Sequence, residues 1–129
     1  MASRSVKVTL ENDTAYNLLL VNKSLSHGEW TDFRQPPEEI LSGDTADWQS
    51  ESAGILTGTE GKVTYRIDMN EYAHSSNPPE AIITWDDPYS GSNGCSMPLQ
   101  GEGSDRFTAT VPEKATISGD NATMNFKLS

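Results

Sequence analysis

The sequence predicts an all-β fold, a single-domain antiparallel β-sandwich spanning residues 1–129. Three observations predict it. Apolar residues recur at every second position in several short runs. These runs are separated by Gly, Pro, Asn and Ser clusters at intervals of roughly 8–12 residues. No apolar stripe holds a helical period over eleven residues.

In the first run Val6, Val8 and Leu10 alternate with Lys7, Thr9 and Glu11, the pattern of a half-buried strand. Asn12-Asp13-Thr14 is a turn. Tyr16 to Val21 reads as a second strand, apolar enough for burial on both faces and expected to pair antiparallel with the first. A loop follows from Gly28 to Pro37, carrying Trp30 and Phe33 and ending in two prolines that cannot donate to a ladder. Ile40 to Asp44 is a short strand entering a turn, and Thr45 to Trp48 leads into Ser50 to Gly54. Thr57 to Gly61 reads as a loop or a bulged strand, since glycine in a strand marks a bulge or close backbone approach.

Val63, Tyr65 and Ile67 give a clear strand, and Met69 to Glu80 a loop. Ala81 to Trp85 is a strand, and Asp86 to Leu99 a long loop or an irregular strand pair. Phe107, Ala109 and Val111 alternate; a turn at Gly119-Asp120-Asn121 precedes a last strand with Met124, Phe126 and Leu128 on one face. Trp48 is expected in the core, Trp85 half-buried beneath its turn, Tyr89 exposed, and Trp30 at either place. Tyr72 and His74 fall in a polar loop that is a candidate part of the same rim.

Composition excludes some classes of function. Nineteen acidic residues against nine basic ones give a formal charge of −10. Nucleic acid is therefore not an expected partner, because its phosphates require Lys and Arg. Electrostatic docking on anionic lipid is disfavoured in the same way; neutral and zwitterionic lipids, glycans and Ca²⁺ are not. The lone Cys95 permits no internal disulfide and has no neighbouring cation to activate it, so it reads as a passive thiol. Met1 to Arg4 leads straight into a strand-like run without the apolar core of a signal peptide, and no run is long enough for a membrane span. The expectation is a chain made soluble, cytoplasmic or exported by an unconventional route. Asn12, Asn22 and Asn121 head Asn-x-Ser/Thr sequons, which matter only in a secretory pathway.

Catalytic and metal signatures are missing. His27 and His74 sit in no zinc-ligand spacing, and there is no nucleophile elbow, phosphate-binding loop or dinucleotide fingerprint. The carboxylate pairs Glu38-Glu39 and Asp86-Asp87 are numbers expected of so acidic a surface, and an enzyme is not expected, nor a cofactor. Asp86-Asp87 with Ser90, Ser92 and Asn93 offers oxygen ligands for Ca²⁺ but matches no fixed calcium loop; a solvated acidic turn is the expectation.

Two segments place aromatic rings beside turn residues: Ser24-Leu25-Ser26-His27-Gly28-Glu29-Trp30 and Trp85-Asp86-Asp87-Pro88-Tyr89-Ser90-Gly91-Ser92-Asn93. Rings of Tyr and Trp combine an apolar body with a polar tip and suit wet, apolar boundaries. In this order, with the Ser/Gly/Thr-rich stretch Ser50 to Gly61 between them, the segments resemble the aegerolysin family and more remotely the actinoporins. The likeness covers about residues 4 to 95. It implies a β-sandwich that recognises a membrane lipid, typically a sphingolipid. It further implies a cytolysin-like, haemolysin-like or toxin role as the targeting half of a two-component pore-former, with a perforin-like partner and oligomers on the membrane.

By the same resemblance the lipid-binding residues are His27, Trp30, Trp85, Asp86, Tyr89, Ser90 and Asn93. Rings of Trp30, Tyr89 and Trp85 would enter at head-group level, and the polar side chains would select the head group. The family pattern has Trp where this chain has His27 and Tyr89, and Lys where it has Glu29. If position 27 lies at the contact, a histidine there would make binding pH-sensitive, because imidazole is the side chain that changes charge near neutrality. The actinoporin N-terminal amphipathic helix has no counterpart before Val6, so pore formation of that self-sufficient type is not expected. The alternative is a soluble lectin-like or Ca²⁺-binding sandwich.

Overall fold

In the computed structural model, which describes residues 3–129, eleven strands form two sheets. The start of the N-terminal lead-in, Met1-Ala2, lies outside the described residues. The strands are β1 (Ser5–Asn12), β2 (Leu18–His27), β3 (Glu29–Trp30), β4 (Glu39–Ile40), β5 (Thr45–Glu51), β6 (Thr59–Ile67), β7 (Glu80–Asp87), β8 (Gly94–Ser96), β9 (Leu99–Gln100), β10 (Ala109–Thr110) and β11 (Asn121–Leu128). One sheet has the order β10-β11-β1-β5-β3; the other runs β4-β2-β6-β7-β8, with β9 also on β7. All pairings are antiparallel except β1 with β11, which joins the two ends of the chain in parallel.

The expected period-two strands supply the core. Val6, Val8 and Leu10 of β1 and Ala122, Met124, Phe126 and Leu128 of β11 face Val63, Tyr65 and Ile67 of β6 and Ala81 and Ile83 of β7. Each strand buries alternate residues, because the side-chain period is two and the sheet has one apolar face. Through this core runs an aromatic ladder: Trp30, Trp85, Trp48 and Tyr65 follow one another with ring centroids 6.0–6.1 Å apart. Trp48 is buried, as the sequence suggested.

Several expectations are corrected. β1 and β2 do not form a hairpin. The turn at Asn12 carries the chain across the core from one sheet to the other, so the two apolar faces oppose each other instead of lying side by side. The device is Asn12 itself, fully buried, whose amide donates to the carbonyls of Tyr16 (2.8 Å) and Ile40 (3.1 Å) and whose Oδ1 accepts from Thr14. β2 starts at Leu18 and continues to His27, past a bulge that turns Val21 out to solvent, so this strand is not buried on both faces. Asp86 and Asp87 are not a solvated turn but the last residues of β7. In the Phe107–Val111 run the strand is Ala109–Thr110, extended by Thr108, which exchanges both backbone hydrogen bonds with Ser129.

Candidate functional site

The end of the sandwich where β2, β5 and β7 finish and β6 begins gathers both aromatic segments. Three connections converge there: the turn at Gly28, the β5–β6 loop (residues 52–58) and the β7–β8 loop (residues 88–93). At Gly28 the chain leaves one sheet and enters the other. Its φ of +91° suits glycine, and a Cβ there would collide with the Glu51 carbonyl and Thr59. Gly58 does the same for the loops, because a Cβ would strike the backbone of Asp87, Pro88 and Tyr89.

Beneath the turn a buried hydrogen-bond chain staples the sheets. The Trp85 indole N–H donates to Ser50 Oγ at 2.9 Å, Ser50 and Thr59 share a hydroxyl contact of 2.7 Å, and Thr59 Oγ1 donates to the His27 carbonyl at 3.3 Å. Every member finds a partner, so the network rigidifies the base of the loops.

The apolar tip stands above it. Ile55 is 91% exposed and Leu56 65% exposed, side by side in the β5–β6 loop. Leu56 has φ +58°, a left-handed conformation that costs a branched residue about 1–2 kcal/mol. Tyr89, 44% exposed, lies across from them. It borders a cavity of about 400 Å³ shared with Leu56, His27, Glu60 and Asp86, and another of about 640 Å³ shared with Ile55, Leu56 and Glu51. The Arg4 guanidinium sits 4.8 Å from the Tyr89 ring centroid and donates to the Tyr89 carbonyl at 3.0 Å, fixing the ring's base.

The rim is acidic. Glu60 and Asp86 are direct cross-strand partners, and burial together with the Glu60 charge pushes the Asp86 carboxyl up, while His27 partly offsets this. Ser26 Oγ donates to Glu60 Oε1 at 2.7 Å, and His27 Nε2 stands 3.9 Å from the same oxygen with most of its ring in solvent.

Of the seven residues singled out in the sequence, the structure brings His27, Asp86 and Tyr89 around one cavity. Trp30 is half-buried at the sandwich edge against Trp85. Trp85 is only 1% exposed, a core residue and not a rim or half-buried one, since it shares the inward parity of Ala81 and Ile83. Ser90 is exposed in the loop. The Asn93 amide is engaged, donating to Ile117 O (2.7 Å) and Gly119 O (2.9 Å), and so pins the β7–β8 loop. Tyr72 and His74 follow Ile67, at the opposite end of β6 from Thr59, roughly 25 Å away at the rise of a strand, and do not join this rim.

Asp86 and Asp87 alternate on β7 and so point to opposite faces, which does not converge two ligands on one ion. Among the described residues no cluster of three or more His, Cys, Asp or Glu is arranged to hold a metal. Cys95 is half-buried, and burial pushes its thiol pKa up, away from thiolate reactivity. Among the described residues no helix is long and apolar enough to cross a membrane.

The residues that sequence reasoning missed are Ile55, Leu56, Asp87 and Arg4. The apolar pair Ile55-Leu56 inside a Gly/Ser/Thr stretch was the available signal for the tip. The parity of Asp87 with Ala81, Ile83 and Trp85 was the signal for a buried acid.

No protein-family model matches the chain, and no curated protein sequence matches it. Solved structures do. Lipid binding protein Nakanori is similar with a TM-score of 0.76 at 12% identity, over 100% of this chain and 72% of that one. IP-1A from Alcaligenes faecalis is similar with a TM-score of 0.64 at 17% identity, over 98% of this chain and 91% of that one. At such identities the likeness is one of architecture: the chain has the β-sandwich fold that these two proteins share.

Proposed function

We propose that the chain is a membrane-lipid-binding protein of the aegerolysin type, which meets the bilayer with the loop end of the sandwich. The observation that carries this reading is the exposed pair Ile55 and Leu56 opposite Tyr89, set on loops that a buried hydrogen-bond chain holds in place. Apolar side chains held in water at the tip of a rigid end gain free energy only by entering an apolar phase. Tyr89 supplies the amphipathic ring suited to the head-group level. The fold shared with a lipid-binding protein and the order of sequence motifs support the same reading.

In this reading the head group is that of a sphingolipid or a similar zwitterionic lipid, met by His27 and Asp86 in the cavity beside Leu56. The chain acts as a binding subunit and not as an enzyme, in the manner of the targeting half of a two-component pore-former with a perforin-like partner. The test is sedimentation with vesicles of phosphatidylcholine alone and with sphingomyelin, ceramide phosphoethanolamine or cholesterol added. Retention on one sphingolipid mixture is the expected result. Absence from every pellet at both neutral and mildly acidic pH refutes the reading. Release of vesicle contents by the chain alone refutes the targeting role while leaving lipid recognition intact.

A further inference from the structure

On the other side of Tyr89 from the Leu56 cavity lies a cleft of about 510 Å³, between the β7–β8 loop and residues 114–120. Its volume is that of a small-molecule site. Asp87 forms its floor, 1% exposed, and Asp87 Oδ2 has no hydrogen-bond partner. Arg4 lines the same cleft, and its Nε is also buried without a partner. The rest of the guanidinium is engaged, Nη2 with Tyr89 O at 3.0 Å and Asp120 Oδ1 at 3.6 Å, and Nη1 with Ser3 O at 3.5 Å. Both residues line one cleft, so a group that reaches past its mouth can serve an unused acceptor and an unused donor together, and each bond left unmade is costly.

What a ligand must offer there follows from what each candidate group can do. A phosphodiester only accepts hydrogen bonds and cannot satisfy Asp87. A primary ammonium only donates and cannot satisfy Arg4 Nε. A quaternary ammonium does neither. Water and a hydroxyl do both, donating to the carboxylate and accepting from the guanidinium, so a ligand that displaces water from this pair must bring a hydroxyl. The formal charges lining the cleft also balance, with Arg4 and Lys114 against Asp87 and Asp120, which favours a neutral ligand. Pro88, Ala115 and Ile117 give the cavity an apolar wall for the C–H face of a ring.

We propose that this cleft binds a neutral polyhydroxyl ring, a pyranose or a cyclitol, through a hydroxyl seated between Asp87 and Arg4. The cleft shares Pro88 and Tyr89 with the cavity at the lipid-facing tip, but neither Ile55 nor Leu56 lines it. The ring comes either as a free glycan or as the sugar of a glycosylated lipid.

The experiment uses the full chain and ¹H–¹⁵N NMR, titrated with methyl glucoside, methyl galactoside, methyl mannoside, myo-inositol and phosphocholine. The expected result is a saturable shift of the Arg4 Nε–H resonance and of the Asn93 and Gly119 amides with at least one ring compound. Asp87→Asn is expected to weaken that binding roughly tenfold or more, the share of a charge-assisted hydrogen bond. Ser118→Trp, at an exposed position on the cleft wall, is expected to abolish it without disturbing the core. In parallel, phosphatidylcholine vesicles with and without glucosylceramide report the lipid-borne source. Binding of either source that Ser118→Trp removes supports the site and identifies the source. The proposal is overturned if neither source binds, if phosphocholine alone shifts these resonances, or if both variants bind as the parent does. Because the free sugars need no membrane, failure here is distinct from failure of the lipid reading.

Discussion

The tip of the β5–β6 loop carries the lipid reading, and its two side chains can be removed without touching the core. Burying an Ile or Leu side chain fully from water is worth about 1.5–3 kcal/mol. Ile55, 91% exposed, can transfer nearly all of that to a membrane, and Leu56, 65% exposed, about two thirds. Insertion of both is therefore worth about 2–5 kcal/mol, a factor of roughly 30 to a few thousand in partitioning. The double variant Ile55→Ser, Leu56→Ser is expected to lose that factor in vesicle sedimentation against whichever lipid mixture retains the parent. Its thermal midpoint should hold, since neither residue packs in the core. A third variant, Leu56→Gly, separates the contributions: it removes the side chain and also relieves the left-handed backbone, so binding falls while stability rises by a few tenths to about 1 kcal/mol. A double variant that binds within twofold of the parent refutes the reasoning. So does a variant that loses binding only because it has unfolded, and a midpoint measured on the same sample detects that.

Two more outcomes concern the base of the site. Gly61 pairs with Trp85 across β6 and β7, and a Cβ there would run into the Trp85 ring and Leu25; Gly61→Val is expected to cost about 1–3 kcal/mol by overpacking, read as a lowered denaturation midpoint and an altered tryptophan emission. Burial pushes the Asp87 carboxyl up from 3.8 to about 6, against the opposing pull of Arg4 and with the added charges of Asp120 and Asp86. The folded state thus holds a proton that the unfolded state releases between those values, so this group makes stability fall as pH rises from 3.8 to about 6, and the penalty is complete above that. The full shift corresponds to about 3 kcal/mol, and screening at the cleft mouth leaves about 1–2 kcal/mol observable. Asp87→Asn should accordingly stabilise the protein at pH 7 and leave it unchanged near pH 4 in urea unfolding; equal effects at both pH values would contradict the assignment.

Period-two alternation made the strands legible, because each strand of a sandwich exposes one face and buries the other. It fixes which residues face inward, and it is silent on which strand lies beside which. β1 shows the difference: Val6, Val8 and Leu10 are buried as the pattern requires, yet the neighbours of β1 are β5 and β11, the second of them at the far end of the sequence. The arch at Asn12 could as well have been a hairpin turn until its amide found Ile40 O in another strand. Parity was more informative than turn context at Trp85, which follows Ala81 and Ile83 inward although turn residues surround it. Its indole N–H is satisfied by Ser50, thirty-five residues away, a partner that no local pattern names. The rim residues His27 and Tyr89 were legible from their turn neighbours. Ile55 and Leu56 carry no periodic signal, and their exposure follows from where the loop is held. Arg4 and Asp87 meet only because β1 begins and β7 ends on the same side of the sandwich.

The charge of the loop end sets which membrane the tip can enter. Glu29, Glu51, Glu60 and Asp86 line the two adjoining cavities that hold Ile55, Leu56 and Tyr89, against His27 in the same lining and Arg4 at the Tyr89 ring. Near an anionic leaflet each charge is worth about 1 kcal/mol, so a few acidic groups cancel an insertion energy of about 2–5 kcal/mol. On a zwitterionic surface the insertion energy stands unopposed. The sign of the salt effect follows. Proteins that dock through Lys and Arg lose affinity as salt screens the attraction. Here salt screens a repulsion, with a Debye length of about 10 Å at 0.1 M and 3 Å at 1 M. Retention on phosphatidylserine-containing vesicles is therefore expected to rise with salt, while retention on zwitterionic vesicles changes little. Raised salt also strengthens apolar association in general, so sodium chloride, a weak salting-out agent, is the appropriate choice, with zwitterionic vesicles as the internal control. If salt instead weakens retention on anionic vesicles, a basic surface elsewhere on the molecule makes the contact, and the loop end is not the face that meets the membrane.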